Sequence, residues 1–274
     1  MDHVEQSHPF DKATQLTGEA GEYKGHTSED YANMVGPFGG VTAATLLKSA
    51  MKHPDCQGEP LSLTVNYAAP LSDGEFDIKA DPVRTNRSTQ HWIIQLFQKN
   101  EVMLTCTAVF ANRRKTWSIL EAPFPSVPAA KEIPSMPTMG LPAWVGSYDI
   151  RTVQGELSIL SDKTPEELDN SVTLQWIQDN PKRNLDFLSL TAICDAFFPR
   201  IYIRRKEMVP IGTVSLTVYF HVDSETLNQH GDQEVLGHAR ALRFNDGFFD
   251  QTGEIWTPGG KLLATTSQIV YYRK

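Results

Sequence analysis

Residues 185–199 read LDFLSLTAICDAFFP, and apolar side chains cover almost the whole helical circumference of that run. A helix without a polar face has to lie inside something rather than on a surface. Its flanks suit a helix: Asn184 is placed to cap the N-terminus, Asp186 lies at the positive end of the dipole, and Pro199 ends the run. Deep in the segment stands one carboxylate, Asp195. An ionised carboxylate in such surroundings is costly unless it is hydrogen-bonded. Thr213 and Gln268, further along, are candidates to supply those bonds. A blander reading makes Asp195 an acid of the last turn that looks out to solvent.

A second helix of the same kind is expected at 40–53, directly after Gly36-Pro37-Phe38-Gly39-Gly40. It is mostly apolar, carries Lys48 and Lys52 at its far end and contains no acid. Gly39 and Gly40 permit close approach of the backbone to a neighbour or ligand. Strands follow at 61–67, 76–83, 89–98 and 102–111, the first alternating Leu61, Leu63, Val65 and Tyr67 with polar residues. Residues 1–17 are polar and expected to be frayed or loosely docked, with a short strand near 21–25. Residues 118–142 hold six prolines and read as an extended linker. Beyond it the pattern returns, with strands at 148–159 and 172–177 and the helix at 185–198. The strand carrying Val214, Leu216, Val218 and Phe220 comes next, then strands at 234–244, 253–256 and 262–272.

The halves share letters. Ser62-Leu63-Thr64-Val65-Asn66-Tyr67 echoes Ser215-Leu216-Thr217-Val218-Tyr219-Phe220, and Val102-Met103-Leu104-Thr105-Cys106-Thr107 echoes Lys261-Leu262-Leu263-Ala264-Thr265-Thr266. Echoes in the same order, each after a helix, indicate an internal duplication. The expected fold class is α+β: a helix wrapped by a curved antiparallel sheet, occurring twice, which is the double-hotdog architecture. Units 1–117 and 147–274, joined by a linker at 118–146, would pair into one extended sheet and hide edge strands.

The totals narrow the function. A net charge of −8 and a pI near 5.5 argue against nucleic-acid binding, though a few local Arg or Lys residues suffice for a phosphate-bearing ligand. Cys56, Cys106 and Cys194 form no CxxC and no zinc spacing with histidine, so reduced core thiols in a cytoplasmic protein are expected. His221, His230 and His238 match no metal motif, and neither a metal nor a cofactor is called for. The first residues lack a signal-peptide pattern, and no window approaches a membrane span, so a soluble chain with no membrane partner is expected.

These motifs resemble the acyl-CoA thioesterase II (TesB-like) family over about residues 20–274. The resemblance rests on Gly36-Pro37-Phe38-Gly39-Gly40, on 61–67, and on three positions in the second half. Asp195 in Cys194-Asp195-Ala196-Phe197-Phe198-Pro199 falls where the family carries a catalytic aspartate. Thr213 falls where it carries a catalytic threonine opening the next strand, and Gln268 where it carries a catalytic glutamine on the last strand. Ser215 and the segment 245–250 depart from better-known members, which bears on substrate choice.

The resemblance implies hydrolysis of an acyl-CoA thioester by a water that Asp195, Thr213 and Gln268 hold. Asp195 would serve as base, kept ionised near neutral pH by hydrogen bonds that offset desolvation. Backbone N–H groups at Gly39-Gly40 are candidates for the oxyanion site. Gln268 also stands out without the family, since a polar group interrupts what reads as a central strand. Arg84 and Arg87 form an RxxRS turn fit either for CoA phosphates or for a solvated hairpin. There is no GxSxG elbow and no evident His partner for Cys194, so no acyl-enzyme is expected. A hydratase or dehydratase of the same fold would want an Asp/His or Glu/His pair, and no His lies near Asp195 or Gln268 in sequence. A non-catalytic acyl-thioester binder would have little need of a buried acid. With no acid in the first helix, one active site per chain is expected, and the family suggests a homo-oligomer, a dimer or larger.

Overall fold

The computed structural model describes residues 7–157 and 165–273. The chain opens with a short helix α1 (Pro9–Ala13) and the strands β1 (Thr17–Glu19) and β2 (Glu22–His26). Helix α2 (Gly39–Lys52) leads into β3 (Glu59–Tyr67), β4 (Glu75–Thr85), β5 (Thr89–Gln98) and β6 (Glu101–Ala111). A long connection ends in the helical turn α3 (Ala143–Gly146). Then come β7 (Tyr148–Gln154), β8 (Thr173–Asp179), α4 (Phe187–Ile193), α5 (Arg200–Arg204) and β9 (Ile211–Phe220). The chain closes with α6 (Ser224–His230), β10 (Val235–Arg240), β11 (Phe244–Asn245), β12 (Phe248–Trp256) and β13 (Leu262–Tyr272).

The strands form one antiparallel sheet in the order β1-β2-β4-β5-β6-β3-β9-β13-β12-β10-β8-β7, with β11 paired to β12. Outwards from the β3–β9 junction the halves match strand for strand, β3-β6-β5-β4-β2-β1 against β9-β13-β12-β10-β8-β7. This is a double hotdog. The junction obeys the duplication residue by residue: Ser62 faces Tyr219, Asn66 faces Ser215, and Thr64 faces its own counterpart Thr217, with 3.1 Å between their hydroxyl oxygens. The pseudo-twofold axis therefore passes through that threonine pair.

The second letter echo is one residue out of register. Leu63 faces Ala108 and its counterpart Leu216 faces Gln268, so Gln268 corresponds to Ala108 rather than to Val109. A one-residue slip turns every side chain to the other face, and matching letters takes no account of faces.

Each sheet half curls round its helix. In β5 the buried residues alternate as Gln90, Trp92, Ile94, Leu96 and Gln98. Helix α2 is buried on nearly all sides, and its hydroxyls are satisfied within the helix: Thr42 donates to the Phe38 carbonyl, Thr45 to Val41 and Ser49 to Leu46. Helix α4 is shorter than expected at 185–198, and its N-cap is Asp186, which accepts from the Ser189 N–H; Asn184 is not the cap. Asp186 has a carboxylate within reach of that N–H, one residue before the first helical position.

Other departures from the sequence reading are local. Residues 9–13 are not frayed. Phe10 is fully buried against Tyr31, and Arg183 lies over its ring while bridging Asp11 and Asp186. The proline-rich connection is strapped to the second half: Trp176 donates to the Pro128 carbonyl and Arg151 to the Ala130 and Ile133 carbonyls. The strand expected at 148–159 ends at Gln154, and residues 158–159 lie outside the described residues. Helices α5 and α6 were not expected.

Phe220 on central β9 packs edge-on against Phe187 at the start of α4, and both are buried. Phe220→Ala is expected to destabilise the fold by about 3–5 kcal/mol, read as a lower urea midpoint at an unchanged slope.

Candidate active site

Asp195 reaches its position because α4 stops early. The helix ends at Ile193, and the chain tightens into two short turns, Asp195 N–H to the Ala192 carbonyl and Ala196 N–H to Ile193. Gln175 donates to the Ala196 carbonyl, and the buried Arg200 donates to the Phe198 carbonyl, which fixes the departing segment. A carboxylate opposes the negative end of its own helix. Asp195 instead meets the positive end of the other one: α2 and α4 pack together, and the Gly40 N–H donates to Asp195.

The fit depends on Gly39 and Gly40. A Cβ on Gly39 would lie 2.8 Å from Asp195 Oδ2, and a Cβ on Gly40 would lie 2.6 Å from the Ala192 carbonyl oxygen. Gln268, buried on β13, donates from Nε2 to Asp195 Oδ1 at 2.8 Å. Burial pushes the Asp195 carboxyl up to about 7, against the downward pull of the Gln268 amide and the Gly40 N–H. Desolvation thus outweighs the hydrogen bonds, and near neutral pH the group divides between its two forms rather than staying fully ionised.

Thr213 comes to the inner face through a bulge. The β9–β13 register shifts between Ile269 and Val270, so that Thr213 faces the buried Val270. It thus shares the inner face with Gln268, as a diagonal neighbour at about 7–8 Å between Cα atoms. Among the described residues, Thr213 is not a hydrogen-bond partner of Asp195.

Arg87 is not brought to the site. It is exposed at the β4–β5 turn, and Gln90 at the base of that turn is bonded to the Asp55 carbonyl, beyond the far end of α2. The length of α2 separates the two places, about 21 Å at 1.5 Å per residue. The Gly40 N–H lies against Asp195 and helps to hold its carboxyl down. The histidines lie elsewhere: His221 contacts Thr265, His230 the Gln233 carbonyl and His238 Glu254.

The sequence reading missed Tyr67, although it ends the 61–67 motif. Its hydroxyl donates to the Gly39 carbonyl at 2.9 Å, and a Cβ on Gly39 would lie 3.3 Å from it. The available signal was a hydroxyl on an otherwise apolar strand face, with Phe220 at the matching place in the other half.

A family model described as the acyl-CoA thioesterase C-terminal domain matches residues 123–272, and one described as the acyl-CoA thioesterase N-terminal domain matches residues 28–111. The chain belongs to the acyl-CoA thioesterase family. This thioesterase-family chain is 47% identical to a hotdog-fold protein of unknown function from Alicyclobacillus acidocaldarius, over 98% of this chain and 99% of that one, with a TM-score of 0.93. A putative thioesterase II from Thermobifida fusca YX is 18% identical over 97% of both chains, with a TM-score of 0.81. Acyl-CoA thioesterase II TesB2 from Mycobacterium marinum is 17% identical over 96% of this chain and 98% of that one, with a TM-score of 0.73. At these lower identities the likeness is one of fold. No curated protein matches the sequence. No described helix is long and apolar enough to cross a membrane.

The pseudo-twofold of this thioesterase fold creates a second place of the same kind, at the start of α4, and it is filled. Ala108 stands for Gln268 and Phe220 for Tyr67; the first residue of α4 is Phe187, where α2 has Gly39. Phe187 and Phe220 occupy that place as a ring pair 5.4 Å apart. Among the described residues, of these two places the one at the start of α2 combines an acid, an amide and a bare helix end.

Asp195 should cost the fold stability at high pH. An unfolded chain releases this proton near about 3.9, whereas the folded chain holds it to about 7. Between those limits the folded state binds more protons, so stability falls as pH rises through the window and stays low above it. Asp195→Asn removes the penalty. Calorimetric scans are expected to place its Tm above the parent's at pH 8, with the difference vanishing towards pH 4. A variant no more stable than the parent at pH 8 contradicts the burial argument.

Proposed function

We propose that this chain hydrolyses acyl-CoA thioesters to a free acid and CoA, using a water held by Asp195, Gln268 and Thr213. The observation that carries this reading is a carboxyl enclosed by protein, held by the Gln268 amide and the Gly40 N–H, and pushed up to about 7. A base with that affinity takes a proton from water more readily than an ordinary carboxylate and is still half ionised at neutral pH.

Ionised Asp195 accepts a proton from the water as its oxygen attacks the thioester carbonyl carbon. The tetrahedral intermediate collapses, the C–S bond breaks, and the thiolate leaves. The proton on Asp195 then goes to the departing sulfur, which restores the base. Gln268 and Thr213 hold the water in line, the amide by its remaining donor and acceptor capacity and the hydroxyl from the bulged strand. Cys194 is poorly suited to forming an acyl-enzyme, since it is fully buried and burial raises its thiol far above the ordinary range. Cytoplasmic location and assembly into a homo-oligomer belong to the same proposal.

Release of free thiol from a panel of acyl-CoAs tests the reaction. Asp195→Asn is expected to lower kcat by about 10²–10⁴-fold with little change in KM. Thr213→Val and Gln268→Ala are expected to lower kcat as well, with losses that do not add, because the side chains hold one water. For the parent, kcat should rise with pH through a limb near 7, since only the ionised carboxyl accepts the proton. A folded Asp195→Asn that works at the parent rate rejects the mechanism. An absorbance change with enoyl-CoA and no thiol release points to a hydratase, and thermal stabilisation by acyl-CoA without turnover to a binder.

A further inference from the structure

Tyr67 and Asp195 belong to different halves of the duplication and are joined through one peptide. The Tyr67 hydroxyl donates to the Gly39 carbonyl at 2.9 Å, Asp195 Oδ2 lies 2.8 Å from where a Cβ on Gly39 would stand, and the N–H of the following residue, Gly40, donates to Asp195. That carbonyl and that N–H are the two ends of the same planar peptide group. Its orientation is therefore set from one side by the phenol and read on the other by the carboxylate. A donor on the carbonyl also polarises the peptide and strengthens its N–H as a donor. The glycine on either side leaves this peptide without a Cβ to hold its angle, so an external tether has a larger effect here than in an ordinary helix turn.

We propose that Tyr67 is a positioning residue that acts on Asp195 through the Gly39–Gly40 peptide, so that the first half of the chain tunes the acid carried by the second. The inference rests on the hydrolase reading for its kinetic consequences, although the link itself is independent of it. Phe220 provides an internal comparison. It occupies the matching strand position without a hydroxyl, and the helix start beside it carries Phe187 in place of a bare glycine. At the start of α4 the helix is capped by its own Asp186, one residue before Phe187, whereas at the start of α2 the carboxylate comes from the other half and the phenol stands beside it.

The other titratable groups facing Asp195 do not compete for protons near neutrality. Tyr67 on β3 and Tyr148 on β7 are raised well above the ordinary phenol range by burial, and Cys194 at the end of α4 is raised above the ordinary thiol range by burial. Asp179 on β8, a second buried carboxyl bordering Tyr148, is pushed up to about 6 by burial, so the titration that disappears in Asp195→Asn is the one that belongs to Asp195.

The test compares the parent with Tyr67→Phe, which keeps the ring. The Asp195 carboxyl is followed by carbon-13 NMR titration of the full chain and assigned with Asp195→Asn. Loosening the peptide should move that titration up by about 0.5–1 pH unit. With Asp195 starting from about 7, a one-unit rise leaves about one tenth of it ionised at pH 7 instead of about half. The acidic limb of kcat should move with it, giving up to about a fivefold loss at pH 7 that is regained near pH 9, with KM within about twofold. A structural role alone would lower activity equally at every pH. An unmoved Asp195 titration in folded Tyr67→Phe overturns the proposal, as does a loss of kcat that is the same at all pH. If the titration moves while no acyl-CoA is hydrolysed, the link stands and the hydrolase reading fails. Should Tyr67→Phe not fold, 3-fluorotyrosine at 67 serves: a stronger donor should lower the Asp195 titration by about 0.2–0.5 pH unit, and no shift or an upward one overturns the proposal.

Discussion

Everything at the centre of this protein depends on how closely the start of α2 approaches the end of α4. Two helix ends rarely meet this tightly, because side chains keep backbones apart. Here Gly39 and Gly40 remove that spacing, and the gap left is the size of one carboxylate: a Cβ on Gly39 would lie 2.8 Å from Asp195 Oδ2. The dipoles make the meeting favourable in one direction only. A negative group at the end of α4 opposes its own helix but is attracted by the N-terminus of α2. The early stop of α4 at Ile193 and the turn that follows let Asp195 take up that attraction.

Duplication supplies two such helix ends, and the chain has treated them differently. At the start of α4, Phe187 and Phe220 pack as an apolar pair, the stable solution for a buried gap. At the start of α2, the gap holds a carboxyl whose burial resists ionisation, with an amide and a backbone N–H as company. Leaving an acid in a core weakens the fold over part of the pH range. A chain that keeps such a feature in one half and fills it in the other has let its two duplicated halves diverge at matching places.

Several parts of this arrangement are visible in the linear text, and others are not. Asp195 stands out as the acid deep in an apolar run, and Gln268 as the polar residue in a central strand. Gly39 and Gly40 stand out as paired glycines opening a helix, and the structure brings all four together. Thr213 carries no such mark; only the bulge at Ile269–Val270 turns it to the inner face. Tyr67 reads as an ordinary member of an alternating strand until its hydroxyl is seen on the Gly39 carbonyl. Arg87 reads either as a phosphate ligand or as part of a solvated hairpin, and the hairpin carries it to the other end of α2. The match between 102–107 and 261–266 is real as text and wrong by one residue as structure.

By itself the sequence determined that two apolar helices had to be wrapped, that the wrapping came from a repeated set of strands, and that one half carried an acid the other lacked. These are consequences of burial and periodicity, which act on neighbours along the chain. The tertiary structure alone decided the face each strand presents, the partner each polar group finds, and the balance of desolvation and hydrogen bonding at Asp195. Those depend on a bulge of one residue, on the register of β6 and β13, and on contacts such as Gln268 to Asp195, 73 positions apart. Periodicity tolerates a slip of one residue; a hydrogen bond of 2.8 Å does not.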